Sequence, residues 1–304
     1  MFAHWSASWP VLIGYVVVAG WHLAGLGRLT AKTLPSSSAQ RSGSEQPSGS
    51  ALPSRTELRR EAALFQLGLL VVTLALAGPL GYWATVYIWD RALQTLLLAV
   101  VGPGLIVLGA PWLAFGRLLR ARPGESAECR TDAVPFWVAR PVVAVVVFNA
   151  VVVCWQVPAL FDPARANAAL ALVEHVSYVA VGLLLWLQLI SSRPIKAPAT
   201  PLRRVGLLVG TTVVWTVLGM VLVFGSSVLY PAYANSAHHV MTVLDDQQLS
   251  GAVLWMGILP AAITAGVALL TQWLDNEESA DLSAGLDRLL AQRRGGWPTR
   301  PVIR

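Results

Sequence analysis

Charge is what this 304-residue chain has least of. Asp, Glu, Lys and Arg make up 12% of it, against 55% hydrophobic residues and a mean hydropathy of +0.59. A soluble domain carries about 25% charged residues, so that class is excluded. Cysteine is scarcer still. Cys129 and Cys154 are the only two, and they fall in segments expected on opposite sides of a membrane. That excludes a disulfide between them, and without a C-x-x-C pair there is no zinc spacing. A phosphate-binding glycine loop, a nucleophile motif and a detectable inverted repeat are all missing, so neither an enzyme nor a secondary transporter has positive support. Residues 1–8 hold no Lys or Arg. The basic region of a cleavable signal is therefore missing, and the first apolar segment is expected to remain as an anchor.

What the chain does have is seven apolar stretches, at 9–27, 62–80, 92–115, 134–157, 168–190, 204–229 and 249–273. About 20 apolar residues cross the roughly 30 Å of bilayer hydrocarbon. The expected fold class is all-α, a polytopic integral membrane protein built as a seven-transmembrane-helix bundle. All but two of the 22 Lys and Arg residues fall in or at the edges of alternate connecting segments, the exceptions being Arg91 and Arg165. Basic residues collect on the cytoplasmic side, which predicts the N-terminus outside and the C-terminus cytoplasmic, in a multi-pass plasma-membrane protein. The net charge of +6 then reflects topology and attraction to anionic lipid headgroups rather than nucleic acid.

The bundle domain is expected over 1–275. It is interrupted by a cytoplasmic segment at 34–54, rich in Ser, Pro and Gly, that reads as a disordered linker. The tail 276–304 places Leu282, Leu286, Leu289 and Leu290 near helical spacing. It reads either as a short amphipathic helix on the inner membrane face or as a solvated tail. Pro103, between Gly102 and Gly104 in the third span, predicts a kink. Structurally it is a bend that neighbouring helices repair; functionally it would widen the outer half of the bundle.

Polar side chains inside spans carry the functional signal, because they are costly unless paired or facing a cavity. Glu174 and His175 open the fifth span, followed by Tyr178. Gln94 and Thr95 lie in the third, Asn149 and Cys154 in the fourth, and Asp246 and Gln247 before the seventh. All belong to the outer half, and they could line one pocket there. Each also has a plainer reading. Asp245 or Asp246 could cap the last helix; Gln94, Thr95 and Asn149 could bond helices together; Glu174 and His175 could form a buried pair. His22, near the inner end of the first span, reads as structural. His238, His239 and Met241 offer imidazole and thioether, soft donors that favour copper. The candidate metal ligands are therefore His175, Glu174, His238, His239 and Asp246, with Gln94, Thr95, Asn149, Tyr178 and Gln247 lining the pocket.

Several strings resemble one family of bacterial membrane proteins. They are Leu74-Ala75-Leu76-Ala77-Gly78-Pro79-Leu80, Gln94-Thr95-Leu96-Leu97-Leu98, Val107-Leu108-Gly109-Ala110-Pro111, Glu174-His175, Leu229-Tyr230-Pro231-Ala232-Tyr233, and Asp246-Gln247-Gln248-Leu249-Ser250-Gly251 with Trp255. In order and placement the chain resembles the CtaG-type cytochrome c oxidase assembly factors, seven-helix proteins, over about residues 9–275. The resemblance implies help in maturing a respiratory oxidase, with oxidase subunits as partners and copper as the metal handled on the outer side. It places Glu174, His175, Asp246 and Gln247 in the pocket. Where the family pattern reads His-Met-x-Gln-His, this chain reads Arg91-Ala92-Leu93-Gln94-Thr95. Arg91 cannot ligate a cation, and pairing with Asp90 or Glu174 is the expected alternative. A copper or small-solute permease and a scaffold without metal are the competing expectations.

Overall fold

The computed structural model describes residues 9–32, 54–113, 140–192, 197–234 and 241–295. Regular structure among them is helical: α1 (Trp9–Lys32), α2 (Arg55–Ala77), α3 (Pro79–Trp83), α4 (Ile88–Leu96), α5 (Gly102–Leu108), α6 (Pro141–Trp155), α7 (Pro158–Ala166), α8 (Ala168–Leu189), α9 (Pro201–Val223) and α10 (Val243–Gly295). Local chemistry sets many of the starts. Pro141, Pro158 and Pro201 occupy first helical positions, where the missing N–H would have had no partner. Ser54 and Glu57 form a reciprocal capping box at α2, so the residue expected to end the flexible linker is instead a helix cap. The rest of that linker lies outside the described residues.

Among the described residues six helices are long and apolar enough to cross a membrane, or seven if the bent pair α6–α7 is one span. The qualification concerns the expected span 134–157. On its own α6 has 15 residues, about 22 Å at 1.5 Å per residue, short of the roughly 30 Å required; α7 continues from it after a bend of 68°. The helices are inside-out relative to a soluble bundle. Val142, Val146, Val209, Val213, Val217, Ile263 and Val267 are exposed, while Asp90, Arg91, Glu174, Asp246 and Gln247 are buried. Such an arrangement is stable only with hydrocarbon outside.

The third span is expected at 92–115 but runs from Ile88 to Leu108. It stops at Gly109-Ala110-Pro111, where Ala110 takes a positive φ of 42°. The kink expected from Pro103 takes the form of a π turn at Leu97–Val101 between α4 and α5. Proline leaves a carbonyl one turn earlier without its amide partner. For Pro103 that carbonyl belongs to Ala99, and Gly182 of α8 packs so near Ala99 and Pro103 that a Cβ there would collide with both; the Trp186 indole donates to the adjacent Val100 carbonyl at 2.8 Å. A second close crossing joins α9 to α10, where Gly219 and Gly251 each leave no room for a Cβ on the other.

Among the described residues of the tail, the helix is continuous with the last span. α10 runs unbroken for 53 residues from Val243 to Gly295, about 80 Å at 1.5 Å per residue.

Candidate functional site

α4 begins where Tyr87 is still extended, leaving the first amides of the helix without partners inside it. Asp246 on α10 satisfies two of them across the bundle. Its Oδ2 accepts from the Ile88 amide and its Oδ1 from the Trp89 amide, both at 2.9 Å. The expectation that Asp246 caps its own helix is thus corrected. Local capping of α10 falls to Thr242, whose hydroxyl accepts from the Asp245 amide and donates to the Asp245 carboxylate. Fixing the start of α4 places Arg91 one turn inside the bundle.

Arg91 is the hub of the site. Its Nη2 donates to Glu174 Oε2 at 2.7 Å, with both side chains at most 5% exposed. Its Nη1 donates to the Phe161 carbonyl at 2.7 Å and the Tyr233 hydroxyl at 3.2 Å. The guanidinium also lies 3.9 Å from the centre of the Phe161 ring. One charge is thereby held by a carboxylate, two oxygen acceptors and an aromatic face, the combination that makes a buried cation tolerable. The chain ends around it are tied in the same way. The Tyr233 hydroxyl donates to Ala84, the Tyr230 hydroxyl to Gln156, and Arg165 donates to the carbonyls of Thr85 and Ala232.

Of the residues the sequence singled out, Glu174, Thr95 and Tyr178 gather around Arg91. Thr95 donates back to the Arg91 carbonyl at 3.0 Å. The Tyr178 hydroxyl is buried without hydrogen-bond geometry to a partner, with Glu174 and Thr95 its electrostatic neighbours. His175 is half-buried beside Glu174. The remainder serve other interfaces. Gln94 donates to the Ala75 carbonyl of α2. Asn149 bonds Val145 and the Thr211 hydroxyl on α9, and Gln247 bonds the Leu229 amide and the Ser227 carbonyl. These three are interhelical or loop fasteners rather than walls of one hollow. Phe161, Tyr230 and Tyr233 are fully buried parts of the site. Of these the sequence marked only Tyr230 and Tyr233, through the Leu229–Tyr233 string.

The ligand set expected for copper is not assembled by these residues. Glu174 is taken by Arg91, and both oxygens of Asp246 are taken by amides. Among the described residues no three His, Cys, Asp or Glu side chains are grouped to hold a metal ion; His238 and His239 lie outside them. A cavity of about 520 Å³ lies beside Val100–Leu108 and Pro260–Gln272, in the half of the bundle that carries Arg204, not the half that carries Asp246.

The fold and site define a polytopic helical membrane protein whose polar centre is sealed by an ion pair. Residues 51–276 match the family of the cytochrome c oxidase caa3 assembly factor, Caa3_CtaG. The chain belongs to that family. No curated protein and no solved structure matches it.

Proposed function

We propose that this protein assists assembly of a cytochrome c oxidase in the bacterial plasma membrane, acting on oxidase subunits from the extracytoplasmic end of its bundle. The observation that carries the reading is the family match across residues 51–276, the span that builds the whole Arg91-centred site. The role is positional, not catalytic. Asp246, Arg91 and Glu174 lock α4, α8 and α10 together beneath the chain segments that precede α4 and follow α9, so those segments are presented to a client in one arrangement. With Arg91 in place of a ligand, the described site offers no coordination sphere for copper. Copper handling belongs to the proposal only through His238, His239 and Met241, of which the two histidines lie outside the described residues.

The test is genetic and spectroscopic. Deleting the gene is expected to lower oxidase activity and the haem signal of the oxidase while its subunit transcripts stay level, and wild-type protein restores both. A deletion strain with normal oxidase spectra and turnover rejects the proposal. Complementation with a His238/His239 double alanine then separates the copper component: full restoration removes it. A permease reading would need a polar path to the other face. His22, on which that path depends, is instead held between α1 and α2 by Gln66 at 3.3 Å and by the Phe65 ring at 4.1 Å.

A further inference from the structure

The cavity at the Arg204 end has a shape and a charge that belong together. It is lined by Val100 and Pro260 towards the middle of their helices and by Arg204 and Gln272 towards one end. From Pro260 to Gln272 the α10 axis advances about 18 Å at 1.5 Å per residue. Half of a bilayer's hydrocarbon is about 15 Å, so the crevice is about as long as one leaflet's hydrocarbon is thick. The long walls are apolar.

Arg204 supplies the second, independent observation. It is 7% exposed, yet it has no carboxylate partner among the described residues, where Arg91–Glu174 is the ion pair found. Its Nε donates to the Ala199 carbonyl at 2.7 Å, and its Nη1 to Leu189 at 3.4 Å and Gln272 at 3.2 Å. These neutral acceptors orient the guanidinium at that end of the cavity without cancelling its charge. A buried cation needs a counter-charge, and the one available at a membrane surface is a lipid phosphate, which a guanidinium's planar fork fits.

We propose that this crevice is a binding site for an anionic phospholipid of the leaflet at the arginine-rich end, with one acyl chain between α5, α8 and α10 and the headgroup phosphate on Arg204. The site is separate from the Arg91–Glu174 centre and does not depend on the role given to that centre.

Native mass spectrometry of the detergent-purified full chain, titrated with phosphatidylglycerol or with phosphatidylcholine of the same acyl chains, tests it. Phosphatidylglycerol is expected to bind about tenfold more tightly, the scale of a charge-assisted hydrogen-bonded pair. Arg204→Gln is expected to erase that preference. Ala268→Trp, at an exposed position on the cavity wall, is expected to reduce binding of both lipids while leaving the thermal midpoint near that of wild type. Equal binding of the two lipids to wild type, or an unchanged preference in Arg204→Gln, overturns the proposal. A dimer mass that Ala268→Trp abolishes would assign the crevice to a second copy and overturn it too. Should Arg204→Gln fail to fold, Ala268→Trp decides alone, since undiminished phosphatidylglycerol binding there is incompatible with a chain in the crevice.

Discussion

Arg91 and Glu174, 83 residues apart, meet at 2.7 Å in a part of the bundle closed to solvent. Removing one member of such a pair strands the other charge, which costs about 3–5 kcal/mol. Glu174→Ala and Arg91→Ala should each lower the unfolding midpoint of the purified protein sharply. The Arg91→Met/Glu174→Leu double variant should lose less than the sum of the single losses. Equal additive losses in a thermal-shift cycle would mean that the contact carries no coupling.

Asp246 is an acceptor for two amides of another helix. Asp246→Asn keeps one oxygen acceptor and loses the charge, so about 1 kcal/mol is expected, within the range for helix caps. Asp246→Ala strands both amides and should cost more. Thr242→Ala, which disturbs only the start of α10, should show the smaller effect on oxidase assembly. Complementation of the deletion strain ranks the three.

Gly182 and Gly206 should respond oppositely to the same substitution. A Cβ at Gly182 collides with Ala99 and Pro103, whereas nothing lies within 4 Å at Gly206. Gly182→Ala is therefore expected to destabilise the bundle. Gly206→Ala should be neutral or stabilising by up to about 1 kcal/mol from helix propensity alone. Midpoints measured in one detergent decide it.

Copper content should not follow Glu174 or Asp246, because both carboxylates are already bound. Glu174→Gln and Asp246→Asn protein, purified after growth with copper, should carry the same metal per chain as wild type by elemental analysis. A stoichiometric copper in wild type that Glu174→Gln removes would contradict the geometry of the site.

The spans were legible because an apolar run of membrane length is rarely tolerated in a chain that stays in water. Glu174 stood out because a carboxylate that deep must have a partner. Its partner was legible only as a choice, since Asp90 and Glu174 are both plausible mates for Arg91 until the helices are packed. The burial of Tyr230 and Tyr233 was not legible for a physical reason: tyrosine at a span end looks the same whether it floats at the interface or is folded inward. Asp246 misled in a similar way. A carboxylate in a first turn ordinarily serves its own helix, and only the tertiary fold turns it toward Ile88. The 520 Å³ crevice left no mark at all, being made of small and apolar residues from four separate segments.

Because α10 is unbroken, the residue that pins α4 and the far end at Gly295 belong to a single rod. The exposed leucines near the far end, Leu282, Leu286 and Leu289, therefore stand on the same helix as the carboxylate that holds the α4 entrance.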